Sequence, residues 1–434
     1  MISFEIISDT EMDIFLQKIK IIFTEKAIRD RILFVLFALV LFRGLTAVPI
    51  PGVDLLVLEQ FFQNNQFLGL LNIFSGGGLT NLSIVMLGVG PFITASIIMQ
   101  LMTVMSPKLK EMYSEEGETG RARFTQYSRQ LTLPLAILQA FGFLSLLKSQ
   151  GVISGLTTFE FLVNIVIVVA GSMLLLWLGE LVTEYGIGNG ISIIIFAGIV
   201  ATLPASASQL IFSFDASKIP LFVGFGAVAL AIIYGVVVMT QAERQVPITH
   251  AKQVRGGKTY GGTTSYLPLR LNQAGVIPII FALSITLFPQ MILNILASFN
   301  VSGVAGLLDK VTAFFQNQEL YALVYFILVF MFTFFYTAVT FDPDAMSKNL
   351  QRSGAFIPGI RPGTHTAEYL GKLITRLTFV GALFLGAVAV LPMAMQILTG
   401  VTTLAIGGTA LLIAVSVVID LVRRVDSQVS LRQY

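Results

Sequence analysis

The chain has 434 residues, 55% of them hydrophobic and only 12% charged, with a mean hydropathy of +0.84 and a formal net charge of +3. Soluble domains carry about 25% charged residues, so this composition excludes a soluble enzyme or binding module and indicates a polytopic membrane protein. Cysteine is absent and histidine occurs only at His250 and His365, which removes disulfides and thiolate chemistry and leaves little to hold a metal or cofactor.

Residues 1–31 mix acids and bases, without an apolar core followed by a small-residue cleavage site. They are expected to form a cytoplasmic lead-in rather than a signal peptide. Apolar runs of spanning length, about 20 residues, follow at 32–48, 83–104, 131–147, 161–183, 190–212, 219–240, 274–298, 320–341, 372–393 and 402–422. The segments between them sort the bases. The N-terminal tail and the segments 105–130, 241–273 and 342–376 hold five Lys or Arg each, and the C-terminal tail holds three. The opposite side holds Lys148, Lys218 and Lys310, and Arg43 lies within the first span. Positive charge stays on the cytoplasmic side, so both termini are expected there and the number of spans is even, here ten.

The same count settles an unusual stretch. No charge occurs between Glu59 and Lys108, more than twice the length one span needs. If 60–107 crossed twice, the five bases of 105–130 would lie outside, so it crosses once. Residues 67–82, with Ser75, Gly76, Gly77 and Gly78, are expected to dip in from the outer face and return. Irregular backbone survives at membrane depth only where protein or a water-filled cavity satisfies its polar groups. Ten spans divide into halves of five, 32–212 and 219–424. An odd number gives the halves opposite topology, as in inverted-repeat membrane proteins.

Ion-coupled transporters keep ionisable groups at mid-membrane. Here Arg43, Glu180, Glu184 and Asp420 lie toward span ends, and no relay can be drawn, which disfavours a small-molecule transporter. No nucleophile, acid pair or metal cluster supports an enzyme. Instead, aliphatic runs adjoin backbone breakers: Ile191–Phe196 after Gly190, Val276–Phe281 after Gly275, Thr409–Val415 after Gly408, and Val89 and Ile93 around Gly90 and Pro91. A ring of such side chains would exclude water and ions. An isoleucine in a span ordinarily faces lipid, so periodicity alone leaves both readings open.

Two segments on the basic side, 241–273 and 342–371, are too long for simple connectors. Loops with basic tips dock acidic partners, including RNA. Gly257, Lys258 and Thr259 look like the end of a phosphate-binding loop, but Lys252 stands where the required glycine would be. A nucleotide site is therefore excluded, and energy for transport has to come from a partner.

The chain resembles the SecY family, the central subunits of bacterial-type protein-translocation channels. The resemblance is carried by FSGGGL and GVGPFITASIIMQL, EEGETGRARFTQYSR, GIGNGISIIIFAGIV, LPLRLNQAGVIPIIFA, FYTAVTFDP and RSGAFIPGIRPG followed by TRLTFVGA. It implies an all-α fold of ten transmembrane helices in two pseudo-symmetric inverted halves. It implies a re-entrant plug over Leu71, Asn72, Ile73, Phe74, Ser75, Gly76, Gly77, Gly78 and Leu79, and a pore ring of Val89, Ile93, Ile191, Ile195, Ile280 and Ile413. The spans 83–104 and 274–298 would form a lateral gate, lined by Thr94, Ser96, Gln100, Asn272 and Phe288, through which a signal peptide or nascent membrane helix leaves into the membrane lipids. Arg255, Lys258 and Arg361 fall where the family contacts the ribosome or the SecA motor ATPase. SecE and SecG are the implied subunits, no cofactor is implied, and the membrane is the bacterial inner membrane. The chain departs from the family in having Val89 for the usual isoleucine, and Gln253 and Gly257 with Arg255 at the loop tip.

Overall fold

The computed structural model describes residues 24–52, 75, 77–79, 81–114, 116–149, 151–153, 155, 157–212, 219–250, 253–255, 258–260, 264–298, 306, 310–311, 313, 317–399 and 403–430. The expectations for the tail before Thr24, and for Leu71, Asn72, Ile73, Phe74 and Gly76, lie outside these residues. Ten long helices carry the fold: α1 (Lys26–Thr46), α2 (Gly90–Met105), α4 (Gly117–Ser149), α5 (Thr158–Tyr185), α6 (Gly190–Phe212), α7 (Ile219–Gln241), α8 (Ile277–Ser298), α9 (Gln318–Thr340), α11 (Thr364–Thr399) and α12 (Thr403–Ser430). Among the described residues, two short helices lie between them, α3 (Pro107–Ser114) and α10 (Pro343–Arg352). The five-residue clusters of bases fall on the connections at one end of this bundle, which we call the basic end.

Local chemistry sets the helix starts. Thr157 and Glu160 form a capping box, the threonine hydroxyl accepting from the Glu160 N–H and the carboxylate accepting from the Thr157 N–H. Asn317 caps α9 and Asp342 caps α10 through their side-chain oxygens. Pro91 sits in the first turn of α2, where its missing N–H costs nothing. At the other end of α2 the chain bends by 116° into α3.

The helices are apolar on every side, so packing rather than polarity distinguishes their faces. On α9, Tyr321, Tyr325, Val329 and Phe332 are buried, while Leu320, Leu323, Ile327 and Met331 are exposed. Exposed apolar stripes of this kind face lipid in a membrane protein. Arg129 of α4 pairs with Glu180 of α5, which satisfies both charges near the ends of their spans.

The neighbour pattern occurs twice. In the first half α2 packs on α4, α4 on α5, α5 on α6, and α1 on α5 and α6. In the second half α8 packs on α9, α9 on α11, α11 on α12, and α7 on α11 and α12, with α8 also touching α11. The correspondence pairs α1 with α7, α2 with α8, α4 with α9, α5 with α11 and α6 with α12, the inverted five-plus-five plan. The halves meet along two seams. On one, α2 and α4 face α8, and α2 also touches α9. On the other, α6 faces α12. Near this second seam, at the basic end, Gly188 lies close to Leu421 and Arg424, and Ile28, Ile187 and Val429 bury together.

The two long segments at the basic end are not separate loops. Strands β1 (Glu243–His250) and β4 (Thr264–Arg270) form an antiparallel hairpin from Glu243 opposite Arg270 to Thr249 opposite Thr264. Strand β5 (Ala355–Phe356) joins the free edge of β1, with Thr249 opposite Phe356 and His250 opposite Ala355. The resulting sheet, ordered β4-β1-β5, packs Val246 and Leu269 onto Ile357, Leu370 and Ile374. A second hairpin, β2 (Gln253–Arg255) with β3 (Lys258–Tyr260), forms the tip.

Candidate functional site

The centre of the bundle is an apolar cluster fed by both halves. Val89, Ile93, Ile195 and Ile413 are buried in it, and Ile191 and Ile280 pack against it half-buried. The six side chains come from the residue before α2 and its first turn, and from α6, α8 and α12. All six belong to this one cluster, which also takes in residues of α1, α5, α7, α9 and α11, and the Ile191 side chain lies against Gly179 of α5. A site of this composition offers no charge or hydrogen bond to whatever passes it.

One local expectation changes. Val89 is not on the helix face with Ile93 but is the residue before α2, with φ −91° and ψ 7°. Residues 81–89 form a chain of turns, and the helix starts only at Gly90. The cause is Gly88, whose φ of +58° belongs to the left-handed region that ends regular structure, followed by Pro91 in the first helical turn.

The described part of the glycine-rich segment is docked against the first half. Ser75 is buried, and its hydroxyl accepts from the N–H of Leu79 at 3.0 Å. Gly77 has φ +83°, and the Arg43 guanidinium approaches to within 3.5 Å of where its Cβ would be. Gly78 is similarly enclosed, by Ser83, Ser75 and Val85. Leu79 and Leu82 are buried among Ala136, Ala140, Leu144 and Val168 of α4 and α5.

At the first seam, Thr94 is buried and accepts a 3.3 Å bond from Gln139 of α4, within its own half. Ser96 is half-buried. Gln100 Oε1 and Asn272 Oδ1 are buried and find no hydrogen-bond partner among the described residues, while the Asn272 amide donates to the Gly275 carbonyl at 3.2 Å. Phe288 is placed on α8, and its side chain lies outside the described residues. At the basic end, Arg255 and Lys258 face each other across the tip hairpin. Arg361 is exposed on a loop pinned by two hydroxyls, Thr366 donating to the Arg361 carbonyl at 2.9 Å and Ser347 to Gly363 at 2.6 Å.

Comparison with known proteins agrees with this architecture. The SecY family model matches residues 83–422. The protein translocase subunit SecY of Mycobacterium leprae (strain TN) is 40% identical over 427 residues, covering 94% of this chain and 96% of that one. This chain belongs to the SecY family. Two solved structures share its fold. A SecY structure concerned with the plug domain that stabilises the closed state of the translocation channel matches with a TM-score of 0.64 at 20% identity, covering 92% of each chain. Sec61 in the canine ribosome–channel complex from the endoplasmic reticulum matches with a TM-score of 0.59 at 19% identity, again over 92% of each. The ten-span membrane fold and the protein-conducting channel class expected from the sequence therefore stand.

Three residues escaped the sequence reading: Asn164, Gly171 and Ser172 on α5. Each touches the irregular chain between α1 and α2. The Asn164 amide donates to the Pro51 carbonyl at 3.2 Å, and the Ser172 hydroxyl donates to the Gly88 carbonyl at 2.8 Å. A Cβ on Gly171 would lie 2.0 Å from the Ile84 carbonyl oxygen. The available signal was a polar or small residue inside an otherwise aliphatic span, a pattern equally usual at ordinary helix crossings.

Proposed function

We propose that this chain is the polypeptide-conducting subunit of a bacterial plasma-membrane translocase, passing unfolded secretory chains across the bilayer and releasing transmembrane segments sideways into lipid. The observation that carries this reading is that Val89, Ile93, Ile191, Ile195, Ile280 and Ile413, contributed by both inverted halves, belong to one continuous apolar cluster. A pore that must pass every side chain is best lined by groups that bind none. The aliphatic ring and the glycine-rich plug close it at rest. Separation of α2 from α8 opens the side exit, and the unpartnered amide oxygens of Gln100 and Asn272 weaken that seam. Both termini lie in the cytoplasm, as the distribution of bases supports.

The pore is passive, without catalysis or cofactor. SecE and SecG complete the complex, and the SecA motor or the ribosome drives the chain from the basic end, engaging Arg255, Lys258 and Arg361. Signal peptides enter at the side exit. The test is a secretory chain stalled in the assembled complex, with a photo-crosslinking residue placed at position 93 or 280 of the channel. Cross-links from both positions to the stalled chain are expected. Cross-linking to lipid alone from both would overturn the reading.

A further inference from the structure

Helix α5 stands outside the ring, yet it holds the stretch of chain from which the ring's first residue projects. Gly171 and Ser172 lie seven and eight residues after Asn164, close to the same helix face. Along this face lie Pro51, Ile84 and Gly88, the points at which the irregular chain passes. That chain is itself cross-tied: Pro49 bridges Ser83, the Ile50 N–H donates to the Leu82 carbonyl at 2.9 Å, and the Ile84 N–H donates to Val48 at 2.9 Å. Leu82 is held at φ +40° while fully buried, a conformation that side-chain-bearing residues keep only when their surroundings enforce it.

We infer that Gly171 and Ser172 of α5 are positioning residues for the pore constriction, fixing the turn at Gly88 that aims Val89 into the ring. The reading rests on the constriction assigned under the proposed function. Ser172 is 2% exposed, and its hydroxyl donates to the carbonyl immediately before Val89. Gly171 lets the Ile84 carbonyl approach closer than any Cβ permits. Neither residue touches the passing chain. Each acts through the backbone, by denying the 84–88 turns any other path.

The experiment uses the complete translocase in planar bilayers and reads resting ion conductance. The variants are Ser172→Ala, Ser172→Thr and Gly171→Ala, with Val89→Asn as the direct lesion of the ring. Ser172→Ala should raise resting conductance about tenfold, the factor expected when a buried carbonyl loses a hydroxyl partner, and Ser172→Thr, which keeps the donor, should restore the seal. Rescue by the conservative variant separates positioning from a general loss of packing. Gly171→Ala should leak at least as much. If its added methyl prevents assembly, Ser172→Ala, which deletes a single oxygen, carries the test. Wild-type conductance in Ser172→Ala beside a leaking Val89→Asn overturns the positioning role and leaves the constriction standing. A sealed Val89→Asn channel overturns the constriction itself, and the inference with it.

Discussion

Thr249 and Phe356 lie opposite each other in adjacent antiparallel strands, although they belong to segments more than a hundred residues apart. This pairing joins the two long connections at the basic end into one sheet. A partner that grips either connection therefore pulls on both, and through the packing of Ile357, Leu370 and Ile374 it pulls on α11 as well. Ala355→Pro removes one of the two backbone N–H groups of β5 and should loosen this link. Losing about 1 kcal/mol of strand pairing should lower motor-driven translocation about fivefold while leaving membrane insertion and resting conductance unchanged. Translocation of a model secretory protein into proteoliposomes provides the measurement.

Arg361 is exposed on a loop whose shape two buried hydroxyls fix. Replacement by glutamate should leave the fold intact and reverse the charge offered to a docking partner, an effect worth several kcal/mol where like charges meet. Arg361→Glu should bind the motor or the ribosome at least about tenfold more weakly, with normal assembly in the membrane. Co-sedimentation of the detergent-solubilised complex with either partner checks this, and unchanged binding would remove Arg361 from the docking surface.

The aliphatic constriction makes a direct prediction for Ile280 and Ile413. An asparagine at either position places an amide among groups that cannot satisfy it in the closed channel, at a cost of about 1–3 kcal/mol, whereas an opened, hydrated pore satisfies it. Ile280→Asn and Ile413→Asn should therefore shift the channel toward opening about tenfold. The readouts are raised ion conductance in planar bilayers and export of substrates with weakened signal sequences.

Because the chain contains no cysteine, a single introduced thiol reports on one place. Ser75 is 1% exposed, so in Ser75→Cys a membrane-impermeant maleimide added from outside should react slowly at rest. It should react quickly once a secretory chain occupies the channel. Gly77→Ala in the same background forces a Cβ into a left-handed conformation, costing about 1–2 kcal/mol, and should raise the resting rate of labelling. Equal rates with and without a trapped substrate would exclude movement of this segment.

The ten spans and their division into halves were legible because bases accumulate on alternate connections, and that asymmetry survives in any linear reading. The six aliphatic residues were singled out as a ring only through family motifs. Isoleucine beside a glycine looks the same in sequence whether it faces lipid or a pore. The β5 strand left almost no trace: Ala355 and Phe356 are two of the three residues between Gly354 and Pro358, too short for an alternating pattern. The start of α2 was misplaced because Leu82 to Val89 is apolar except for Ser83 and Gly88 and so reads as part of the span, although Pro91 marked the first helical turn. Ser172 could not have been singled out, since its importance lies in a carbonyl contributed by residue 88 of a distant segment.

The two seams between the halves are built differently, and under the proposed function this difference sets how the channel would open. Along α6 and α12 the halves are fastened near the basic end, where Gly188 meets Leu421 and Arg424 and Val429 buries with Ile28 and Ile187. Under the proposed function the halves would part where α2 faces α8 and turn about the α6–α12 edge, like the covers of a book. A rotation barely felt at the spine becomes a wide displacement at the fore-edge, where α2 faces α8. Any clasp around the spine therefore sets the rest angle of the whole channel without touching the pore.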